Sequence, residues 1–211
     1  MKIEVKKLDK AFKDNRVLTN INITMESGNI YGFIGRNGSG KSVFLKILCG
    51  FYEPSKGNVY YDGVDLFKND SFPEDTRALI EKPGFIPDLT GYENLELLAS
   101  IKNKIGQTEI EKALDDVNLS KERNKSFGKY SLGMKQKLGI AQVLMEDPKV
   151  MILDEPFNGV EEVTTKKIRK ILEEERKKGK LIIIASHIKE DIEELANIVY
   201  KFDDGCIERI K

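Results

Sequence analysis

Net charge is absent from this chain: 35 basic and 35 acidic side chains cancel over 211 residues. A neutral chain lacks the electrostatic footprint of a general nucleic-acid binder, so no nucleic acid is expected as a partner. Long apolar runs are absent too. The longest, 150–153 and 181–185, fall far short of the roughly 18 residues that a membrane span requires. The first ten residues, MKIEVKKLDK, scatter charge through the stretch where a signal peptide would carry its apolar core. These features predict a cytoplasmic protein that reaches a membrane only through a partner. Cysteine is scarce. Cys49 and Cys206 form no CxxC pair, and Cys49 lies in an apolar helical pattern that predicts a small buried thiol. Repeats at a 20–50-residue period and low-complexity segments are missing, which excludes a solenoid or a disordered tail.

What is present is a folded composition, 40% hydrophobic and 33% charged, in a length that suits one large domain. The first third reads mostly as strands. Ile21, Ile23 and Met25 alternate with polar neighbours, Ser27-Gly28 makes a turn, residues 30–34 form a buried strand, and 58–61 form another, closed by Asp62-Gly63. The middle turns helical. Thr90 with Glu93, and Thr108 with Glu111, have the spacing of capping boxes, and a further helix is predicted from Ser131 to about Glu146. The last third alternates: strand 150–153, helix 163–178 ended by Gly179, strand 181–185, helix 189–197, then a hairpin turned by Asp203-Asp204-Gly205. Strand–helix alternation predicts an α/β fold with a mostly parallel sheet and ligand sites at the carboxyl ends of its strands.

The strongest motif is Gly35-Arg36-Asn37-Gly38-Ser39-Gly40-Lys41-Ser42, a full match to GxxxxGK[ST] between an apolar strand and an apolar-faced helix. Its glycines let the backbone curl closely, so that successive N–H groups point at phosphate oxygens, and the positive end of the following helix dipole adds to the field. Lys41 is predicted to reach the β- and γ-phosphates of a nucleoside triphosphate, and the Ser42 hydroxyl to bind Mg²⁺. A merely structural glycine turn would not need all these positions in this context.

Strand 150–153 runs into Asp154-Glu155. Two carboxylates at the end of a buried strand are costly unless a cation meets them. Asp154 is assigned to Mg²⁺, and Glu155 to polarising the water that attacks the γ-phosphate. A strand ending in acids can also mark the approach of solvent; beside the phosphate loop the functional reading prevails. His187, the chain's only histidine, follows the apolar strand 181–185 and so sits at another carboxyl end, placed to sense the γ-phosphate or to brace the activated water. Guanine readout by an NKxD motif is missing, since Asn124-Lys125-Ser126-Phe127 fails at its last position.

Tyr130-Ser131-Leu132-Gly133-Met134-Lys135-Gln136 resembles the LSGGQ-type signature of ABC ATPases, and it precedes the acid pair by the interval that family uses. The likeness extends over nearly the whole chain: phosphate loop, signature, acid pair and the Ser186-His187 switch, in that order. It implies a P-loop NTPase of ABC type, with an N-terminal antiparallel β subdomain and an inserted helical subdomain. On that reading residues 1–82 and 146–211 form the nucleotide-binding core and 83–145 the helical part. It further implies that ATP and Mg²⁺ are the cofactors, that Ser131 and Gly133 present a helix end to ATP held by a second ATPase protomer, and that Phe12 stacks on adenine. The implied role is to hydrolyse ATP and power a membrane transporter, peripheral at the inner face of the membrane, with a multi-spanning subunit as partner.

Two positions depart from the family's pattern. Glu81 stands where the family usually has a metal-ligating Gln, which keeps the ligand oxygen and adds a negative charge. Glu161 stands where an Asp is usual after the acid pair. Both are expected to modulate turnover without abolishing it. They keep open a nucleotide-gated regulatory subunit; a soluble ABC ATPase of ribosomes or DNA would carry two cassettes or a long coiled coil. The segment from Glu81 to Leu95 resembles that of ATPase subunits of bacitracin- and lantibiotic-export-type transporters, so an exporter is expected. Its apolar Phe85, Ile86, Leu89 and Tyr92 are expected to divide between interior packing and a groove for the membrane subunit.

Overall fold

The computed structural model of the protein describes residues 1–68 and 72–211. The chain opens with two long antiparallel strands, β1 (Lys2–Phe12) and β2 (Asn15–Glu26); alternation puts Ile21, Ile23 and Met25 inside, and an irregularity at Asn20, φ +48°, turns Leu18 inward as well. After a turn at Gly28 comes β3 (Ile30–Ile34), buried along its whole length, and then α1 (Lys41–Leu48), whose Phe44, Leu45, Ile47 and Leu48 face inward. Short strands follow, β4 (Lys56–Tyr61), β5 (Val64–Asp65) and β6 (Thr76–Leu79).

Three helices occupy the middle: α2 (Gly91–Lys102), α3 (Gln107–Asp116) and α4 (Leu132–Leu144). The last third runs β7 (Val150–Asp154), α5 (Glu162–Lys177), β8 (Leu181–Ser186), α6 (Lys189–Glu193), β9 (Ile198–Asp203) and β10 (Cys206–Arg209). Among the described residues no helix is long and apolar enough to cross a membrane.

Six strands form one sheet in the order β10-β9-β3-β8-β7-β6, and all pairings are parallel except that of the terminal hairpin β9–β10. A second, antiparallel sheet has the order β2-β1-β4-β5. This is the α/β architecture expected from the sequence. Because side chains alternate along a strand, Ile182 and Ile184 point to one face of the large sheet and pack with α3, α4 and α5, while Ile183 joins the other face with α1 and the antiparallel sheet. Each such fully buried Ile or Leu contributes about 1.5–3 kcal/mol of transfer free energy. A sheet covered on both faces leaves its strand ends as the place for polar chemistry. Ile34, Leu79, Asp154 and Ser186 all end parallel strands at the same edge.

Local signals hold with two adjustments. Thr90 caps α2 as its sequence implies, with reciprocal bonds of 3.1 Å from Glu93 N–H and 2.7 Å to Glu93 Oε2. The second capping box shifts: α3 is capped at Gly106, whose N–H donates to Glu109 Oε2 at 2.9 Å, and Glu111 instead accepts from Gln107 and Arg123. The predicted 189–197 helix stops at Glu193. Tertiary bonds compete for the remainder, because Asn197 Oδ1 accepts the Ile30 N–H at 2.6 Å and starts β9 beside β3. Cys49 is buried, which pushes its thiol up to about 12, and Cys206 is exposed and unpaired.

Candidate active site

Glycine geometry shapes the phosphate loop. Gly40, the residue before α1, has φ +105°, and a Cβ there would lie 2.8 Å from Leu18 Cδ2 and 3.0 Å from the Val17 carbonyl. Gly35 is hemmed in by space rather than by φ: its Cβ would meet Phe202 O at 2.7 Å and Ser39 Oγ at 2.8 Å. Larger residues would push the loop off the sheet edge. The first turn of α1 carries no acidic residue and no side-chain cap, which leaves its N–H groups free for an anion. A cleft of about 660 Å³ opens here, lined by Gly35, Arg36, Asn37, Gly38, Ser39 and, across from them, His187 and residues 201–204.

Lys41 is buried, and its ammonium folds back onto the loop, donating to Gly35 O at 2.6 Å and Arg36 O at 3.0 Å. Burial lowers its pKa; the charges of Glu155 and Asp154 oppose that shift. Asp154 is also buried, and its Oδ1 has no hydrogen-bond partner. Burial foremost raises its pKa; Ser42's hydroxyl pulls the other way, Glu155's charge adds to the rise, Lys41 opposes it and Glu81 adds again. An orphaned, desolvated carboxylate oxygen beside a serine hydroxyl fits a hard divalent cation.

Glu155 takes a left-handed turn at φ +48°, a conformation that costs a non-glycine residue about 1 kcal/mol or more. The turn is pinned from both sides, by Glu155 N–H to Ala185 O at 2.8 Å and by Gln136 Nε2 to Glu155 O at 2.9 Å. Its carboxylate is thereby delivered to the end of β8. Oε2 accepts from Ser186 Oγ at 3.1 Å, and Oε1 from the His187 N–H at 2.8 Å, with His187 Nδ1 also 2.8 Å away. Gln136 went unassigned from sequence. Flanked by Lys135 and Lys137, it carries no sequence signal of burial; the fold alone buries it and brings it to Glu155.

The structure thus brings Lys41, Ser42, Asp154, Glu155 and His187 to one strand edge, and keeps other predicted residues apart from them. Ser131 caps α4, its Oγ accepting Met134 N–H at 3.2 Å, and neither it nor Gly133 lines the cleft. Gly133 instead abuts the loop after the acid pair, where a Cβ would lie 2.1 Å from Gly159 O. Glu161 turns toward the buried Lys137 at 3.4 Å and caps α5. Phe12, half exposed at the end of β1, meets Tyr52 edge-on at a centroid distance of 5.4 Å. Glu81 is engaged by Lys46 rather than by Ser42 or Asp154. A shallower depression of about 770 Å³ on the outer face of the antiparallel sheet, lined by Lys6, Lys7, Arg16 and Lys56, contains none of these residues.

The family model described as ABC transporter matches residues 18–158, a span running from β2 through the phosphate loop, α4 and the acid pair. The chain belongs to the ABC transporter family. Among curated relatives, the chain is 38% identical over 205 residues to a bacitracin transport ATP-binding protein of Enterococcus faecalis, covering 96% of this chain and 67% of the relative. It is 32% identical to a lantibiotic transport ATP-binding protein of Streptococcus pyogenes, covering 97% and 88%. Among solved structures, an ATP-binding subunit of an ABC transporter superposes with a TM-score of 0.89 at 25% identity, covering 100% of this chain and 90% of that one. A dimeric ATP-binding cassette in a post-hydrolysis state with ADP and Pi superposes at 0.88 and 23% identity, covering 99% of each, and shares the fold.

Proposed function

We propose that this ABC ATPase binds MgATP at the Gly35–Ser42 loop, pairs with a second ATPase protomer, and uses hydrolysis to drive a membrane-spanning exporter. One observation carries the reading: Lys41, the unpartnered Asp154 Oδ1 and the braced Glu155 carboxylate stand together at one sheet edge beside an open helix N-terminus. Backbone amides of residues 35–42 hold the phosphates, and Lys41 exchanges two carbonyls of its own loop for phosphate oxygens. Ser42 and Asp154 hold the metal, with Glu81 as a third candidate ligand. When bound, Mg²⁺ neutralises charge on the β- and γ-phosphates. Glu155 Oε1 and Oε2, held by His187 and Ser186, accept a proton from the attacking water. Phe12 supplies a stacking face for adenine.

The face that carries Ser131, Gly133 and the exposed Leu132 and Val163 suits the second protomer: a capped helix end with free N–H groups beside apolar surface. The helical part spans 83–145 within a core of 1–82 and 146–211. In it Phe85 packs edge-on against Phe127 and Tyr92 joins the interior, while Ile86, Leu97 and Ile101 stay exposed and offer apolar surface to the membrane subunit. The protein would then work at the cytoplasmic face of the membrane through that subunit. A transport role is favoured by the bacitracin and lantibiotic transport relatives. The test is phosphate release by the purified protein together with co-purification of a multi-spanning partner. ATP uptake without release above a Glu155→Gln control would leave a nucleotide-gated regulator in place of a motor.

A further inference from the structure

The carboxylate that replaces the family's usual amide, Glu81, has a partner of its own. Lys46 projects from α1, one turn beyond the phosphate loop, and its Nζ bonds Glu81 Oε1. The lysine is largely buried, at 18% side-chain exposure, whereas Glu81 is 61% exposed, so the fixed member of the pair is Lys46. Its ammonium lies 5.3 Å from the Tyr52 ring centroid, and that ring meets Phe12 edge-on. Glu81 itself has φ +61°, a strained turn for a residue with a Cβ. Aromatic and charged contacts therefore fix the lysine, and the lysine fixes the acid at the end of β6, on the same strand edge as Asp154. Glu81's charge is also felt at Asp154.

We propose that Lys46 is a positioning residue for Glu81, holding its carboxylate against the helix after the phosphate loop until a nucleotide-bound divalent cation competes for the same oxygen. This rests on the MgATP reading above. An ion pair with one largely exposed member is weak and yields readily to a hard cation that prefers carboxylate oxygen. Lys46 also offsets the extra negative charge that Glu81 places beside the phosphates. Exchange of Glu81 between Lys46 and the metal would move the loop that leads into the helical part, tying cation binding to that loop's position.

The test is Mn²⁺ affinity, read by electron paramagnetic resonance, of the intact protein loaded with a non-hydrolysable ATP analogue. Lys46→Met keeps the side-chain stem and frees Glu81; it is expected to tighten Mn²⁺ roughly two- to fivefold. In a Glu81→Gln background the same substitution should change affinity less than about twofold, and Lys46→Arg, which retains the pair, should match the parent. No change on Lys46→Met, or an equal change in both backgrounds, overturns the proposal. Melting temperatures of each variant identify loss of fold, and Lys46→Gln, which also breaks the ion pair, takes the place of Met if the apolar end disturbs α1. Analogue uptake measured without metal separates the two readings: uptake without coupling sinks this proposal alone, and no uptake by the parent protein sinks the nucleotide reading with it.

Discussion

Glu155 Oε1 receives two contacts from one residue, the His187 backbone N–H and the His187 ring Nδ1, each at 2.8 Å. The histidine thus fixes the direction of a carboxylate that a strained backbone has already turned toward the site. Glu155→Gln removes the proton acceptor and should lower turnover at least about 10³-fold while ATP uptake persists; His187→Ala removes only the ring contact and should cost about 10²-fold. Because both act on one oxygen, the double variant should be no slower than Glu155→Gln alone. Single-turnover assays with separate binding measurements check this, and additive losses would show that His187 acts elsewhere.

Asp154 trades stability for function. Burial first, helped by the Glu155 and Glu81 charges and resisted by Ser42 and Lys41, lifts its pKa above the ordinary 3.8. A carboxylate whose folded pKa exceeds its unfolded one destabilises the fold when charged. That penalty is absent below 3.8, grows as pH rises toward the elevated folded value, and is complete above it. Asp154→Asn should therefore raise the melting temperature of the nucleotide-free protein by about 2–4 °C for each kcal/mol relieved, while abolishing turnover. Melting curves should show the gain at pH 7.5 and its reduction near pH 4. A lower melting temperature at neutral pH would contradict the assignment.

Gly133 has no room for a side chain, since a Cβ would sit 2.1 Å from the Gly159 carbonyl. Gly133→Ala should force the start of α4 away from the loop after the acid pair and destabilise the protein by about 1–3 kcal/mol. ATP uptake by the single chain should remain, because the Gly133–Gly159 contact joins the start of α4 to the loop after the acid pair and lies outside the Gly35–Ser42 loop. Turnover should fall more than uptake, which calorimetry and phosphate release would separate. Equal losses in both would argue that the α4 end supports the phosphate loop of its own chain.

Much of this site was legible in the one-dimensional pattern because its parts are local. The phosphate loop needs glycines at fixed offsets between a strand and a helix, and Thr90 with Glu93 needs only adjacent turns. Contacts between distant segments were not legible. Nothing in the spacing indicates that Gln136 pins the Glu155 carbonyl, that Lys46 engages Glu81, or that Glu161 turns back to Lys137. The capping box expected at Thr108 moved to Gly106 for a similar reason: Glu111 has a tertiary partner in Arg123.

By itself, then, the sequence determined the strand–helix order, the alternating apolar faces and the family to which the chain belongs, since periodicity and short motifs depend on neighbours a few residues apart. Only the tertiary structure decided which way Glu155 faces, what holds it, and where Glu81 and Glu161 spend their charge. Those outcomes rest on bonds between residues 19 to 35 positions apart, formed where the parallel strands bring their ends to one edge. Hydrogen bonds and ion pairs act over a few ångströms, so they exist only after the sheet has folded.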